Sequence, residues 1–573
     1  MTEKISGWSN ADAATAAQEP ASENIVWDGN AKTYEWDDEF GDVGPKVPEL
    51  EIELFGEKGA RHKTGLDFSK IEAIEVSQEG PVKINSVRKF ADAGLHPVLL
   101  ENIGLAGYTS PTPIQKYTIP SIMEGYDIIG VAQTGSGKTA AYLIPILSKL
   151  MGKAKKLAAP RPNPLTFREG MDEVRAEPLV LIVVPTRELA VQIFNEARRF
   201  CYRSMLRPCV VYGGTPVRDQ IALLSKGCDI LVGTPGRLID FINRPRVLTL
   251  RRLKYMVIDE ADELLEWEDE LKQILLGGDQ DEGAVKYALF SATFPEAAQE
   301  LGQTYLASDH VQLRVGRVGS TTENIRQIVV KASPEEKQSV LVKLLEEMPG
   351  IRTIIFCNSR GEVDRLDDFL FHMGLPVTSM HRDRSQAERE AALRAFRSGM
   401  APILIATGVT ARGIDVRNVM HVINYDIPSC MHGGMEEYTH RIGRTGRIGH
   451  RGVATSIFTD RDEDMASALI QKLKEANQEV PEFLESYTGN GFSDSDGNYK
   501  MTGADSGTGQ GEADPWGPSA NTAAPPGDVQ TDAWGASAPA AAAQPDAWGA
   551  SAAPVAVSPD PWGASAPQAA LGW

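Results

Sequence analysis

The sequence predicts two α/β domains, each a parallel sheet covered by helices on both faces. Three observations carry that expectation. Apolar, β-branched runs of strand length alternate with helical stretches through the middle of the chain. The alternation runs once, pauses at the polar, glycine-containing "RVGRVGSTTEN" (Arg314 to Asn324), and starts again. The flanks on either side lack it.

Residues 1–80 are acidic, rich in Ala, Glu and Pro, and weakly periodic, so they are expected to form an extension without fixed structure. Within them "PELEIELFG" alternates apolar and acidic residues and reads as a short strand that could dock on the core. Residues 81–315 form the first domain. "EPLVLIVVPT", "CDILVGTP", "YMVIDEAD" and "KYALFSAT" each read as a buried strand ending in polar or Gly/Pro residues, with helical stretches such as "RELAVQIFNEARRFCYR" between them. Residues 316–323 are the hinge. Residues 324–485 repeat the pattern with "RTIIFCNS", "LPVTSMHRD", "APILIATG", "MHVINYD" and "GVATSIFTD". Residues 486–573 are a low-complexity tail of Gly, Ala, Pro, Ser and Asp with a loose repeat, "DPWG", "DAWG", "DAWG", "DPWG", around Trp516, Trp534, Trp548 and Trp562.

The net charge of −20 sits in the flanks. Residues 1–60 carry −10 and residues 486–573 carry −8, which leaves residues 61–485 nearly neutral. A neutral middle can still present a basic face, so the acidity does not exclude a nucleic-acid partner. No apolar run is long enough to span a bilayer, and the N-terminus lacks a signal-peptide core, so no membrane association is expected. The five cysteines form no CxxC pair, which fits a reducing compartment.

"AQTGSGKT" (Ala132 to Thr139) follows the apolar "DIIGV" and precedes the helical "AAYLIPILSKL". That is the setting of a phosphate-binding loop. Thr134, Gly135, Ser136 and Gly137 supply a backbone that wraps phosphates. Lys138 brings a point charge to the outer phosphates, and Thr139 a hydroxyl for Mg²⁺. Ala132 departs from the usual pattern, which begins with Gly. Asp259 ends the strand "YMVI", where a second carboxylate would hold Mg²⁺ through water, and Glu260 beside it can orient and deprotonate an attacking water. Acids at a helix start also meet the positive end of the dipole. That accounts for the charge but not for its place after a phosphate loop.

D-E-A-D at 259–262, with "AQTGSGKT", "PTRELA", "TPGR", "SAT", "ARGID" and "HRIGRTGR" in that order, resembles the DEAD-box RNA helicases over roughly residues 81–485. "EARRFCYRSMLRPCVVYGG", "VGRVGSTTENI" and "EANQEVPEFLE" are similar to the Vasa/Belle-type cytoplasmic branch, which remodels mRNA and supports translation initiation. The resemblance implies two RecA-like domains, ATP as the nucleotide, RNA as partner, a monomeric core, and cytoplasmic residence with nuclear shuttling open. In "GYTSPTPIQ", Gln115 would hydrogen-bond the adenine edge, Tyr108 would stack on the ring, and Phe90 would brace the site. Arg444 and Arg447 resemble arginine fingers; Gly413 and Asp415 would approach the ribose. Asp262, Ser291, Thr293, His440 and Arg441 would couple nucleotide to RNA.

RNA contacts are expected from Pro185, Thr186, Arg187, Gly213, Gly214, Thr234, Pro235, Gly236 and Arg237 on the first domain. Arg360, Arg384, Gln386 and Thr407 are expected to add theirs from the second. Small residues and backbone amides suit phosphate and sugar contact without base reading. Departures from the family pattern are Glu263, Trp267, Arg382, Gly408 and extra residues near Gly433. Besides an RNA-dependent ATPase that separates strands, the same residues would serve an ATP-gated RNA clamp with little unwinding. A DNA helicase or a P-loop transporter fits the motif set less well. The tryptophan tail resembles Gly-Trp segments that engage Argonaute-type pockets, so translation-initiation or silencing proteins are its expected partners.

Overall fold

The computed structural model describes residues 35–37, 41–57, 74–80, 82–151, 168, 171, 173–277, 285–316, 324–411, 416, 418–429, 433–446 and 451–487. The tail and the hinge segment 317–323 lie outside them, as do Gly413, Asp415 and Arg447.

Glu35–Asp37 (β1) and Gly41–Val43 (β2) pair antiparallel as a small separate ribbon. The strands of the first domain are Val76–Glu79 (β3), Ile128–Val131 (β4), Val180–Val183 (β5), Pro208–Val211 (β6), Ile230–Gly233 (β7), Tyr255–Asp259 (β8), Lys286–Ser291 (β9) and Val311–Val315 (β10). They lie in the order β3-β10-β4-β9-β8-β5-β7-β6. All neighbours are parallel except β3, which runs antiparallel to β10. The second domain has Ile325–Lys331 (β11), Arg352–Cys357 (β12), Val377–Met380 (β13), Ile403–Thr407 (β14), Val419–Asn424 (β15) and Gly452–Phe458 (β16). Their order is β11-β16-β15-β12-β14-β13, parallel throughout. Two parallel-sheet α/β domains are therefore present, as the sequence predicts.

Strand alternation sorts each sheet's side chains into two cores. In the first domain Ile128, Ile182, Val257 and Phe290 pack with Ile114, Leu143 and Leu147 of the helices Pro113–Glu124 and Lys138–Leu150. On the opposite face Ile129, Leu181, Met256 and Leu289 pack with Leu238, Leu271 and Leu301. The second domain divides likewise. Ile355, Cys357, Ile403 and Ile405 meet Leu341, Val363 and Leu366, and Ile354, Phe356 and Leu404 meet Leu393 and Phe396. Gly130 in β4 faces the Phe290 ring so closely that a Cβ would lie 2.5 Å from it, which explains a glycine inside a central strand.

The β1–β2 ribbon, the helix Pro48–Phe55 and β3 all lie ahead of residue 81, which corrects the expectation of an unstructured extension at those places. β3 pairs with β10 at the sheet edge. Pro48–Phe55 is a helix, not the short strand expected from its alternation. Pro48 suits a first helical turn. Leu50 and Leu54, four apart, fall on one face and bury against Tyr202. The Val47 N–H donates to the Tyr202 hydroxyl at 3.0 Å, Arg199 donates to the Leu54 carbonyl at 2.8 Å, and Glu53 pairs with Arg198 at 2.6 Å.

Candidate functional site

Parallel sheets present their ligand-binding residues beyond the carboxyl ends of the strands. In the first domain three neighbouring strands, β4, β9 and β8, end at the phosphate loop, at Ser291 and at Asp259. The next three, β5, β7 and β6, lead into Pro185–Arg187, Thr234–Arg237 and Gly213–Gly214. In the second domain β12, β13 and β14 lead into Arg360, into Arg384 and Gln386, and to Thr407. One sheet edge thus carries two adjacent groups, and the second sheet carries a third.

The phosphate loop turns through Gly135 (φ 77°) and Gly137 (φ 87°), and the helix starts at Lys138. These left-handed positions turn backbone N–H groups inward. Lys138 is buried with its amine 3.2 Å from Glu260 Oε2. Burial works against its charge, but Glu260, Asp259 and Asp262 outweigh it and hold the ammonium above the usual lysine range. Burial, then the Glu260 charge, push the Asp259 carboxyl up to about 7 against the pull of Lys138. The Tyr142 hydroxyl donates to Asp259 Oδ2 at 2.9 Å. The sequence reading missed Tyr142, although it stands one helical turn after Lys138 on the same face. Glu260 sits at φ 52°, a left-handed position for a non-glycine residue, and strain of this kind concentrates at functional sites. Two buried carboxylates facing one ammonium leave excess negative charge, and Ser136 Oγ is buried without a hydrogen-bond partner among the described residues. That donor set fits a triphosphate and a divalent cation held by a carboxylate, a hydroxyl and phosphate oxygens.

On the base side, Phe90 and Tyr108 meet edge to face at 6.4 Å. The Tyr108 hydroxyl donates to Glu196 at 2.6 Å. Gln115 is fully buried. Its Oε1 accepts from the Thr112 N–H at 3.0 Å, and its Nε2 donates to the Gly137 carbonyl at 3.0 Å. Thr112 Oγ1 donates to the Ser136 carbonyl at 2.8 Å. Gln115 therefore braces the phosphate loop in this arrangement, a role its sequence position did not announce. The T-P-I-Q spacing of a capping box was the available signal for Thr112.

The two domains touch across the cleft. Arg187 donates to Gln386 Oε1 at 3.0 Å, Arg389 pairs with Glu188 at 2.8 Å, and the Tyr212 hydroxyl reaches Glu390 at 3.5 Å. Asp262 Oδ2 accepts from both the N–H (2.8 Å) and the hydroxyl (2.7 Å) of Thr293. The Asp262 N–H donates to Ser291 Oγ at 3.2 Å. From the second domain His440 places Nε2 3.7 Å from Asp262 and Nδ1 3.8 Å from Glu263. Glu263 is thus the second acid facing this histidine. Arg441 is fixed by Glu437 (2.9 Å), by Asn358 (2.9 Å) and by the Asp426 carbonyl (2.8 Å). At Gly408 a Cβ would lie 1.8 Å from Glu437 Oε1, so the missing side chain leaves room for that carboxylate. Arg444 is buried and donates Nε to the His440 carbonyl at 3.0 Å.

Burial opposes the His440 charge, but Asp262, Glu263 and Glu260 raise its pKa above the ordinary value, while His440 holds the Asp262 carboxyl well below the usual range. The group is a base whose pKa rises when the domains meet. Its contribution to their contact is therefore complete below about pH 6.5 and fades as pH climbs through the raised value. The interdomain distance, read with a fluorophore on each domain, is expected to lengthen as pH increases, and His440→Gln is expected to flatten that profile.

On the adjacent group, Thr186 caps the helix Arg187–Phe200 by accepting the Leu189 N–H at 3.3 Å. Desolvation, then Arg389, lowers the Arg187 pKa. Gly213 and Gly214 lie against its guanidinium. Arg237 donates to the Thr215 carbonyl at 3.2 Å. Arg360 pairs with Asp383, and Arg384 with Asp364 at 3.1 Å. Thr407 bonds Thr410 at 2.9 Å. Arg382 stands exposed beside Asp383. Every expected RNA residue thus lies at a strand end, on the two edges that meet.

Residues 112–301 match the DEAD/DEAH box helicase family model, and residues 336–449 match the helicase conserved C-terminal domain. Among solved structures, a point variant of S. cerevisiae Dbp5 bound to RNA and ADP BeF3 is 26% identical with a TM-score of 0.58, covering 70% of this chain and 97% of that one. A second Dbp5 structure, with a Gle1 variant and IP6, is 28% identical with a TM-score of 0.53, covering 68% and 93%. The RNA helicase Prp28 from Chaetomium thermophilum bound to ADP is 32% identical, covering 71% and 94%, with a TM-score of 0.36.

Proposed function

Since the chain belongs to the DEAD/DEAH box helicases, we propose that it is an RNA-dependent ATPase that separates short RNA strands and remodels mRNA–protein complexes. The observation that carries this reading is the meeting of His440, from the second domain, with Asp262 and Glu263 of the first domain's acidic box, so that residues of both domains stand together at the site. Lys138 and the loop amides bind the phosphates. Glu260 takes the proton of the attacking water, Arg444 answers the charge that develops on the transferred phosphoryl, and Asp259 keeps the water and cation side ordered. Mg²⁺, held by Thr139 and, through water, by Asp259, would supply charge neutralisation on the phosphate oxygens. Arg447 is proposed as the second finger, Gly413 and Asp415 as the ribose contact, and Tyr108 and Phe90 as the base wall. ATP turnover is expected to rise with single-stranded RNA of any sequence and to stay flat with DNA. Equal stimulation by both polymers would overturn the RNA reading.

The finer assignment is to the Vasa/Belle-type branch, acting in the cytoplasm on translation initiation or mRNA metabolism. The stretches "EARRFCYRSMLRPCVVYGG" and "EANQEVPEFLE" support it. For the tail, an indole in an acidic, low-complexity sequence suits a small apolar pocket, and spaced copies gain from effective concentration. Replacing Trp516, Trp534, Trp548 and Trp562 by Ala is expected to remove co-purifying proteins while leaving RNA-stimulated ATPase intact. An unchanged set of partners would end that proposal.

A further inference from the structure

Thr293 stands between two carboxylates. Its Oγ1 is 2.7 Å from Asp262 Oδ2 in its own domain and 2.7 Å from Glu436 Oε1 in the other. A hydroxyl carries one proton, so it donates to one of them at a time. Asp262 does not depend on that proton, because it also accepts the Thr293 N–H at 2.8 Å and has His440 Nε2 at 3.7 Å. Glu436 lies in the first turn of the helix Gly434–Ile442, and His440 lies one turn further along. Residues four apart share a helix face, so one face of this helix brings an acceptor for Thr293 and a cation for Asp262 together. Gly433, at φ 82°, opens the helix.

We propose that Glu436 is a positioning residue for domain closure: on closure the Thr293 hydroxyl is handed from Asp262 to Glu436, while His440 takes its place on Asp262. With the domains apart, Asp262 holds both Thr293 donors. With the domains together, Asp262 keeps the Thr293 N–H and gains the His440 ring at 3.7 Å while Glu436 takes the hydroxyl, and the acidic box is tied to the second domain at two points of one helix. The step moves no covalent bond, only a hydroxyl rotor. It rests on the RNA-dependent ATPase reading, because closure is what RNA and ATP together would drive.

The test is a double-mutant cycle in the full chain with Glu436→Ala and Thr293→Val, which keeps the shape of threonine and removes the hydroxyl. Two quantities are read: the RNA concentration giving half-maximal ATPase, and the distance between fluorophores on the two domains with RNA and a non-hydrolysable ATP analogue. Glu436→Ala alone is expected to raise the half-maximal RNA concentration by about three- to tenfold and to lower the closed fraction, with ATP binding in the absence of RNA unchanged. In the Thr293→Val background it is expected to add less than about twofold. Glu436→Gln, which still accepts a hydroxyl, is expected to fall between. Independent effects of the two substitutions, or a Glu436→Ala protein that closes like the parent, would overturn the handover. A parent without RNA-stimulated turnover would instead sink the ATPase reading, and the distance measurement alone would then decide the role of Glu436.

Discussion

Glu260→Gln is expected to abolish turnover while leaving ATP bound. Glutamine keeps the size and planar shape of the side chain, so the left-handed backbone at this position and the contact with Lys138, now 3.2 Å away, survive the change. What is lost is the basic oxygen. General-base removal costs about 10²–10⁴ in rate. One negative charge also leaves the buried cluster, which relieves Asp259 and weakens the competing pull on the Lys138 ammonium. Affinity for ATP should hold or tighten, and the closed complex with RNA should persist. Single-turnover hydrolysis and equilibrium nucleotide binding on the same preparation check both halves. Normal turnover in this variant would place the base elsewhere.

Arg444→Ala is expected to be as damaging to rate, by a different route. Arg444 belongs to the second domain, is buried, and is steered by its bond to the His440 carbonyl. Removing an arginine finger costs about 10³–10⁵ in turnover. The phosphate loop and base wall lie wholly in the first domain, so ATP binding should change little. Arg444→Lys is not expected to rescue, because a point charge on a flexible stem cannot reproduce the fork. A variant that binds ATP poorly but turns over what it binds at the parental rate would show that Arg444 is a binding residue.

Much of the architecture was legible because buried parallel strands read as continuous apolar runs. "YMVIDEAD" and "APILIATG" contain strands β8 and β14 and end where chemistry begins. β3 was not legible: "VSQE" is short, polar and half-exposed, and its place comes from pairing with a strand more than two hundred residues away. "PELEIELF" misled for a related reason, since apolar residues four apart satisfy a helix as well as alternation satisfies a strand. In the site, the phosphate loop and acid box were carried by local spacing. The bond from Gln115 to Gly137, the partnership of Tyr142 with Asp259 and the contacts of Glu436 and Glu188 across the cleft depend on tertiary approach, which spacing does not encode.

The antiparallel pairing of β3 on β10 has a consequence for how the protein can be cut. β10 is hydrogen-bonded to β4 on one side and to β3 on the other. A fragment starting at residue 81, where the regular alternation begins, would strip β3 away and leave a row of unpaired backbone groups along Val311–Val315. Exposed strand edges recruit other chains. The same cut removes the helix Pro48–Phe55 and uncovers Tyr202 and its arginine neighbours. Such a piece would self-associate in proportion to its concentration, and its loss of solubility would be mistaken for loss of fold.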